Sequence, residues 1–386
     1  MPLKSSNPKF DSVNHTPLIT DAQTVTALGA DLQTLWKNIL RGFTAIKPVK
    51  RFPTDNYNTK IAACIEDLQP SPHRSRIHPL LDRLFLKMAP VPSDAILITA
   101  TAKAGIDNLE KLRRQESRGV DDILPSSLID VVSEKLGLTG KGFNISAACA
   151  SSTIAIARGA EMIASGRADA VLVCCLDLVA EFTLSGFSAL KALSPGPCQP
   201  FDRDRQGLSL GEGAAALLLM SRKRAQQDGR LPLGRILGWG VANDATHITA
   251  PAQSGCGLVQ AISRALRVAG IKADEICGIS AHGTGTIYND LMELTAFQQV
   301  FGRRKVPVYS VKGAIGHTFG AAGGIEVALG LKCLATRTAP PTVGLSRPMD
   351  EAVDRVSAGA AAISEGFLLT TNSGFGGINA ALVLGR

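Results

Sequence analysis

The sequence predicts an α/β protein built from two similar halves, and three observations carry that reading. Short apolar runs of strand length alternate with helix-length segments along the chain. Glycine-rich turns follow several of the apolar runs, as at 281–286 and 312–324. Residues 221–234 are polar and turn-rich, and they separate two stretches of the same style. We therefore divide the chain into 17–230 and 231–386.

The elements follow in order. Residues 1–16, with Pro2 and Pro8, form a loose lead-in. A strand begins at Leu18, a helix covers roughly 28–41, and a proline-rich connection runs past Pro48 and Pro53. Ala95–Ala100 is a short apolar run of the buried kind. A charged helix over 107–119 and a second over 126–136 lead to a strand at 142–147. Cys149 opens a helix over 151–165, which stops at Gly166 as a C-terminal cap. Ala170–Cys175 and Gly213–Met220 are further buried strands.

The second half runs strand 235–241, helix 257–269, strand 276–280, helix 290–301, strand 306–311 and helix 321–335. A hairpin-like pair closes the chain around 370–386. The alternation implies mainly parallel central strands. The helices after Cys149 and after His317 hold similar places in the two halves, which points to an ancient duplication.

Composition excludes several classes. At 386 residues and 45% hydrophobic, the chain buries a sizeable core and is not disordered. Aromatics are only 5%, so small residues, including 38 glycines, do much of the packing. The net charge of +8 leaves nucleic acid, membrane surface or an acidic protein as partner. Nucleic acid fits poorly, because the arginines are scattered and only two Trp and three Tyr are available for stacking. No apolar run reaches the roughly 18 residues of a membrane helix. The richest, 168–179, carries Asp169 and Asp177. The N-terminal segment lacks a secretory apolar stretch, so a reducing cytoplasm is the expected home. The eight cysteines form no C-x-x-C pair, so no metal site is expected.

The chemistry converges on one cysteine and two histidines. Cys149 lies between a strand and a helix, where the helix dipole and free N–H groups favour the nucleophilic thiolate. A free cysteine is more often a core residue. Two histidines change that balance. His282 and His317 each sit just past a strand among glycines, at turns where α/β sheets place their sites. Lys312, with apolar and glycine-rich flanks, lies five residues before His317.

These residues carry a resemblance. Ala148-Cys149-Ala150-Ser151-Ser152, Pro200–Gly207 with Gly211-Glu212-Gly213, and His282-Gly283-Thr284-Gly285-Thr286 with Asp290 and Glu293 occur in that order. Lys312, Gly316-His317, Glu326 and Asn372–Asn379 follow. From about Leu18 onward the chain resembles a β-ketoacyl-acyl-carrier-protein synthase of the elongating type, in the thiolase superfamily. The resemblance implies a thiolase-like fold, with mixed central sheets in an α-β-α-β-α layering.

It also implies roles. Cys149 takes the acyl group. His282 and His317 bind the malonyl thioester carbonyl and promote loss of CO2. Lys312 and Glu326 form an ionic pair behind the histidines. Backbone N–H groups of Cys149 and Phe375 form the oxyanion hole, and the Phe375 ring gates the cysteine. Thr284 and Thr286 bind a phosphopantetheine arm, with Thr249 at the tunnel mouth and Lys191 facing an acidic acyl carrier protein. No cofactor is held permanently, since the carrier brings the arm. The family is typically a homodimer; a heterodimer with a related subunit, or a non-catalytic role within one, is the alternative.

Two departures stand out. The segment 86–93 is short by about a helix. In addition, Lys103 falls near the bottom of the expected acyl pocket. A buried lysine there would be costly without a partner. It would shorten the pocket, suit a polar chain or meet a partner subunit. Both departures point toward a specialised lipid or polyketide pathway.

Overall fold

The computed structural model describes residues 14–68, 74–116 and 122–386. Most of the lead-in and residues 117–119 of the charged helix lie outside them; the helix read over 107–119 ends at Arg113, and 114–116 form a turn. Ten strands form the main sheet: β1 (Pro17–Thr26), β2 (Ile96–Ala100), β3 (Gly142–Ile145), β4 (Ala170–Asp177), β5 (Gly213–Ser221), β6 (Gly234–Asn243), β7 (Ile276–Ser280), β8 (Val308–Tyr309), β9 (Phe367–Gly374) and β10 (Ile378–Gly385). Their spatial order is β8-β7-β9-β10-β6-β1-β5-β4-β2-β3.

That order contains a repeat. Read outward from the middle, the first five strands run first-fifth-fourth-second-third, and the second five run the same way. Pair for pair, the directions also agree: antiparallel, antiparallel, parallel, parallel. The two sets touch through β1 and β6 at only Leu18–Arg235 and Ile19–Gly234. The expectation of mainly parallel central strands is therefore corrected. The inner pairings are antiparallel, and the parallel ones lie toward the two edges. One inner pair, β9–β10, is a hairpin closed over 375–377, and a hairpin of that length can only be antiparallel.

Helices complete the layers. α1 (Leu32–Leu40) starts where the Asp31 carboxylate accepts the Thr34 N–H, and it buries Leu32, Leu35, Trp36 and Ile39 on one face. α2 (Ile77–Phe85), α3 (Ile106–Arg113), α4 (Ser127–Leu136), α5 (Ser151–Ala164), α6 (Glu181–Ala189), α7 (Arg222–Gln227), α8 (Cys256–Ala269), α9 (Ile287–Phe301), α10 (Lys312–Ile315) and α11 (Ala322–Thr336) follow. The short helices α2, α6, α7 and α10 are absent from the sequence reading. α7 occupies the polar segment taken as the boundary, its first turn capped by Ser221. Residues 86–93 carry no helix, so α2 leads almost directly into β2.

α5 and α11 follow the third strand of each set, and each packs against strands of both sets. They form the middle layer, which is why both are so apolar. The stretch Phe319–Thr336 spans 18 residues at a mean hydropathy of 1.3, long and apolar enough to cross a membrane. This corrects the sequence reading, which found no such run. Here 83% of the stretch is buried inside the fold, as a core helix.

The packing of α11 against α5 and β4 needs glycine. A Cβ on Gly323 would collide with Thr153 Oγ1, and one on Gly324 would collide with Cys175 Sγ. Gly323→Ala is expected to lower stability by about 1–3 kcal/mol through overpacking. Gly186 in α6 has open space around its Cβ direction. Gly186→Ala should leave stability unchanged or raise it by about 0.5–1 kcal/mol. Urea unfolding of the two variants checks the contrast.

Candidate active site

Cys149 stands on a sharp turn between β3 and α5. Ala148, just before it, has φ +48°, a left-handed conformation unusual for a residue with a Cβ. The Ser151 hydroxyl holds the turn, accepting from Ala147 N–H at 2.8 Å and donating to Ala148 O at 2.6 Å. Gly374 approaches from the closing hairpin. A Cβ there would sit 3.2 Å from the Cys149 nitrogen and 2.9 Å from Ile378 Cγ2, so glycine lets the two backbones meet without either giving way.

His317 leaves the short helix α10 through Gly316, at φ +68°. Its backbone is clamped on both sides by the stretch around Gly211. His317 N–H donates to Ser209 O at 2.7 Å, and Gly211 N–H donates to His317 O at 3.0 Å. Its ring Nε2 lies 2.9 Å from Cys149 Sγ. Its Nδ1 accepts the Phe319 N–H at 3.2 Å. Since Nδ1 is an acceptor, the proton of the neutral ring sits on Nε2, facing the sulfur.

His282 follows β7. Glu293 of α9 accepts the N–H groups of His282 and Gly283 at 2.7 and 2.6 Å. Asp290 accepts those of Thr284 at 3.0 Å and Phe201 at 2.7 Å. These buried carboxylates fix the glycine-rich loop by its backbone. Burial pushes Glu293 up to about 7 and also raises Asp290. The two imidazoles meet edge to face, with centroids 5.1 Å apart.

Behind the histidines lies a buried ion pair. Lys312 Nζ is 2.6 Å from Glu326 Oε1 and donates to His282 O at 2.5 Å. Burial and the Lys312 charge hold both histidines well below the ordinary histidine range, so both are neutral at pH 7. Burial also pushes the Cys149 thiol up to about 12, while Lys312 pulls it down. The N-terminus of α5 and the His317 Nε2–H stabilise the small thiolate fraction.

The ligand atoms of Cys149, His282 and His317 lie within 4.8 Å of one another, close enough for a metal ion. The hydrogen bonds argue against one. A metal-binding imidazole presents a bare nitrogen to the ion and donates its other N–H outward. Here each Nδ1 faces a donor, so Nε2 carries the proton.

The cavity over Cys149 has a volume of about 310 Å³ and is lined by Phe375, Thr249, Thr284, Thr286 and Lys191, among others. Phe375 stacks on Phe187 at 5.8 Å, Phe187 meets Phe319 at 5.6 Å, and Phe319 stacks on His317 at 5.8 Å. Lys191 is exposed at the rim.

Lys103 is a correction. It is exposed, its ammonium lies 5.6 Å from the Phe182 ring centroid, and it does not line the cavity. Its backbone N–H is what turns inward, donating to Asp177 at 2.9 Å. Asp177 also accepts from the Thr101 hydroxyl, Ala102 N–H and Gly320 N–H. It thereby ties the loop after β2 to the start of α11. The sequence reading noted Asp177 only as a charge within an apolar run. A lone acid in a fully buried strand was the available signal. Asn372, to which the sequence motif assigns no role, contacts both Glu326 and His282.

Comparison with known proteins agrees with this geometry. Residues 93–225 match the family "Beta-ketoacyl synthase, N-terminal domain", and residues 233–346 match "Beta-ketoacyl synthase, C-terminal domain". The chain belongs to the β-ketoacyl synthase family. It is 30% identical to 3-oxoacyl-[acyl-carrier-protein] synthase 2 of Staphylococcus aureus (strain COL), covering 96% of this chain and 98% of that one. Its fold superposes on the ishigamide ketosynthase/chain length factor with a TM-score of 0.88 at 26% identity, covering 96% and 99% of the two chains. The ketosynthase ApeO in complex with its chain length factor ApeC, from Xenorhabdus doucetiae, gives 0.82 at 28%, covering 96% and 98%. The S. aureus alignment runs over 407 residues, more than the 386 present here, so that relative carries segments this chain lacks.

The buried neutral histidines have a stability signature. Their folded pKa values lie below the unfolded value of 6.5, so their contribution is complete above pH 6.5. It is lost as pH falls below that value, where only the unfolded chain takes up protons. Asp177 acts in the opposite sense. Burial raises it from 3.8 to about 6, so its contribution is present below 3.8 and lost as pH rises through 6. Replacing both histidines with Gln should flatten the loss of stability between pH 6.5 and 5, read from urea midpoints. An unchanged slope would contradict neutral histidines.

Proposed function

We propose that the chain is a 3-oxoacyl-acyl-carrier-protein synthase that extends acyl chains by decarboxylative condensation. The observation that carries this reading is the Cys149–His317 contact at 2.9 Å, with His282 beside it and Lys312–Glu326 behind. The names of the relatives support it.

The geometry supports two half-reactions. In the first, Cys149 thiolate attacks the thioester carbonyl of an acyl-loaded carrier. The oxyanion is held by the N–H groups of Cys149 and Phe375, and collapse expels the carrier thiolate, which takes up a proton. In the second, the malonyl thioester oxygen accepts the Nε2–H groups of His282 and His317. The bond to the carboxylate breaks, CO2 leaves, and the electron pair becomes an enolate held by those two donors. The enolate carbon then attacks the acyl carbonyl on Cys149, and collapse returns the cysteine as thiolate. No proton needs to leave either histidine.

The remaining residues take supporting roles. Thr284 and Thr286, whose hydroxyls are 2.9 Å apart, bind the phosphopantetheine arm supplied by the carrier, and Thr249 lines its entrance. Exposed Lys191 faces the acidic carrier, consistent with the net charge of +8. Phe375 gates the cysteine from the stack with Phe187. The chain-fold repeat supports halves at 17–230 and 231–386. Pairing into a dimer, with itself or with a related subunit, fits the exposed edge strand β3 and its half-exposed Phe143. Exposed Lys103 fits contact with a partner subunit better than the pocket roles. All eight cysteines are free, which fits a reducing cytoplasm. The acyl chain belongs to fatty-acid or specialised lipid or polyketide synthesis. A non-catalytic partner role is disfavoured by the intact Cys149.

Intact-mass spectrometry after incubation with acyl-carrier protein should show one acyl group on Cys149. Cys149→Ala should remove both that adduct and all condensation. Absence of any adduct on the wild-type chain would overturn the reading. Lys191→Glu should raise KM for the carrier several-fold with kcat little changed, measured by steady-state kinetics.

A further inference from the structure

Asn372 lies in β9 and is fully buried. Three groups surround its side chain. The Thr153 hydroxyl donates to Oδ1. Nδ2 donates to Glu326 Oε2 at 2.7 Å. The same Nδ2 lies 3.3 Å from His282 Nδ1. The amide orientation follows from these partners. A carboxylate only accepts, so Nδ2 faces Glu326, and Oδ1 faces the hydroxyl. The second hydrogen of Nδ2 points to His282, and Nδ1 must then be an acceptor. A neutral imidazole has one donor and one acceptor nitrogen, which leaves the His282 proton on Nε2, toward the cavity.

We infer that Asn372 is a positioning residue that sets the tautomer of His282 and couples it to the Lys312–Glu326 pair. The two histidines differ in this respect. His317 receives its Nδ1 hydrogen bond from the Phe319 backbone, which any residue there supplies. His282 depends on one side chain. Glu326 pulls on the same amide nitrogen and so orients it, while Lys312 holds Glu326 in place and binds His282 through its carbonyl oxygen. The chain Lys312–Glu326–Asn372–His282 thus aims an N–H at the place where the enolate oxygen forms. The inference rests on the reading of His282 as a donor to the malonyl thioester.

The test uses the full-length protein labelled with 15N-histidine and long-range 1H–15N spectra at pH 7. In the wild type, the His282 proton is expected on Nε2. In Asn372→Asp, whose carboxylate accepts, the proton should move to Nδ1 or occupy both nitrogens. Acylation of Cys149 by acyl-carrier protein should stay within about twofold. CO2 release from malonyl-carrier protein should fall about 10²-fold, the scale for loss of one donor to an oxyanion. Asn372→Ser, too short to reach His282, serves if the Asp variant does not fold; it should mix the two tautomers and slow CO2 release about tenfold. An Nε2 proton retained in a folded variant overturns the inference, as does an equal loss of both half-reactions. If the wild type fails to acylate Cys149, the functional reading fails, while the tautomer measurement still decides this inference on its own.

Discussion

A single buried cation organises this site. Lys312 sits in the core, 1% exposed, and Glu326 is the carboxylate that neutralises it. Taking such a pair out of water is expensive, and removing either partner costs about 3–5 kcal/mol by stranding the other. Burial is the main force that keeps positive charge off the imidazoles, and the Lys312 charge adds to it. A second cation beside a lysine is still less favourable there, so both rings stay neutral. A neutral ring can still donate, provided its proton is on the outward nitrogen. The backbone of Phe319 and the amide of Asn372 see to that. The site is therefore a pair of N–H donors facing a thiol, suited to hold an enolate oxygen without protonating it.

The duplicated topology explains how residues so far apart in sequence meet. Cys149 follows the third strand of the first set of five. His317 follows the third strand of the second, and the two reach within hydrogen-bond distance. His282 follows the second strand of its set; the corresponding turn of the other set is the loop pinned by Asp177. The middle-layer helices must pack tightly for this to work. That accounts for the glycines at 323 and 324, and for a core in which small residues displace aromatics.

Much of the site was legible in the sequence because its motifs are local. His282, His317 and Lys312 sit in short glycine-rich stretches and Cys149 in a short run of alanines and serines, all at strand ends, and the structure brings all four together. Strand positions were also legible, since fully buried strands such as 170–177 and 276–280 are nearly unbroken apolar runs. Strand direction was not, because alternation with helices looks the same whether the neighbour in space is the next strand or a distant one. α6 was hidden because its apolar residues lack a one-sided pattern, and α2 because Pro79, tolerated in its first turn, reads along the chain as a helix breaker. Asp177 and Asn372 act on nitrogens contributed by remote segments, and spacing along the chain does not record such contacts; Asp290 and Glu293 lie within the His282 motif, but which backbone N–H each accepts is set by the fold. Lys103 was misplaced because sequence position gives the direction of neither backbone nor side chain. Its N–H turns into the site while its ammonium turns out.

The central claim is that this arrangement breaks a carbon–carbon bond and uses the electrons to make another. The most direct measurement follows the carbon. Malonyl-carrier protein labelled at its free carboxylate is mixed with protein already acylated on Cys149. The account predicts labelled CO2 in equal amount to the 3-oxoacyl product, which itself carries no label. Label retained in the product, or acyl transfer without CO2, would contradict it.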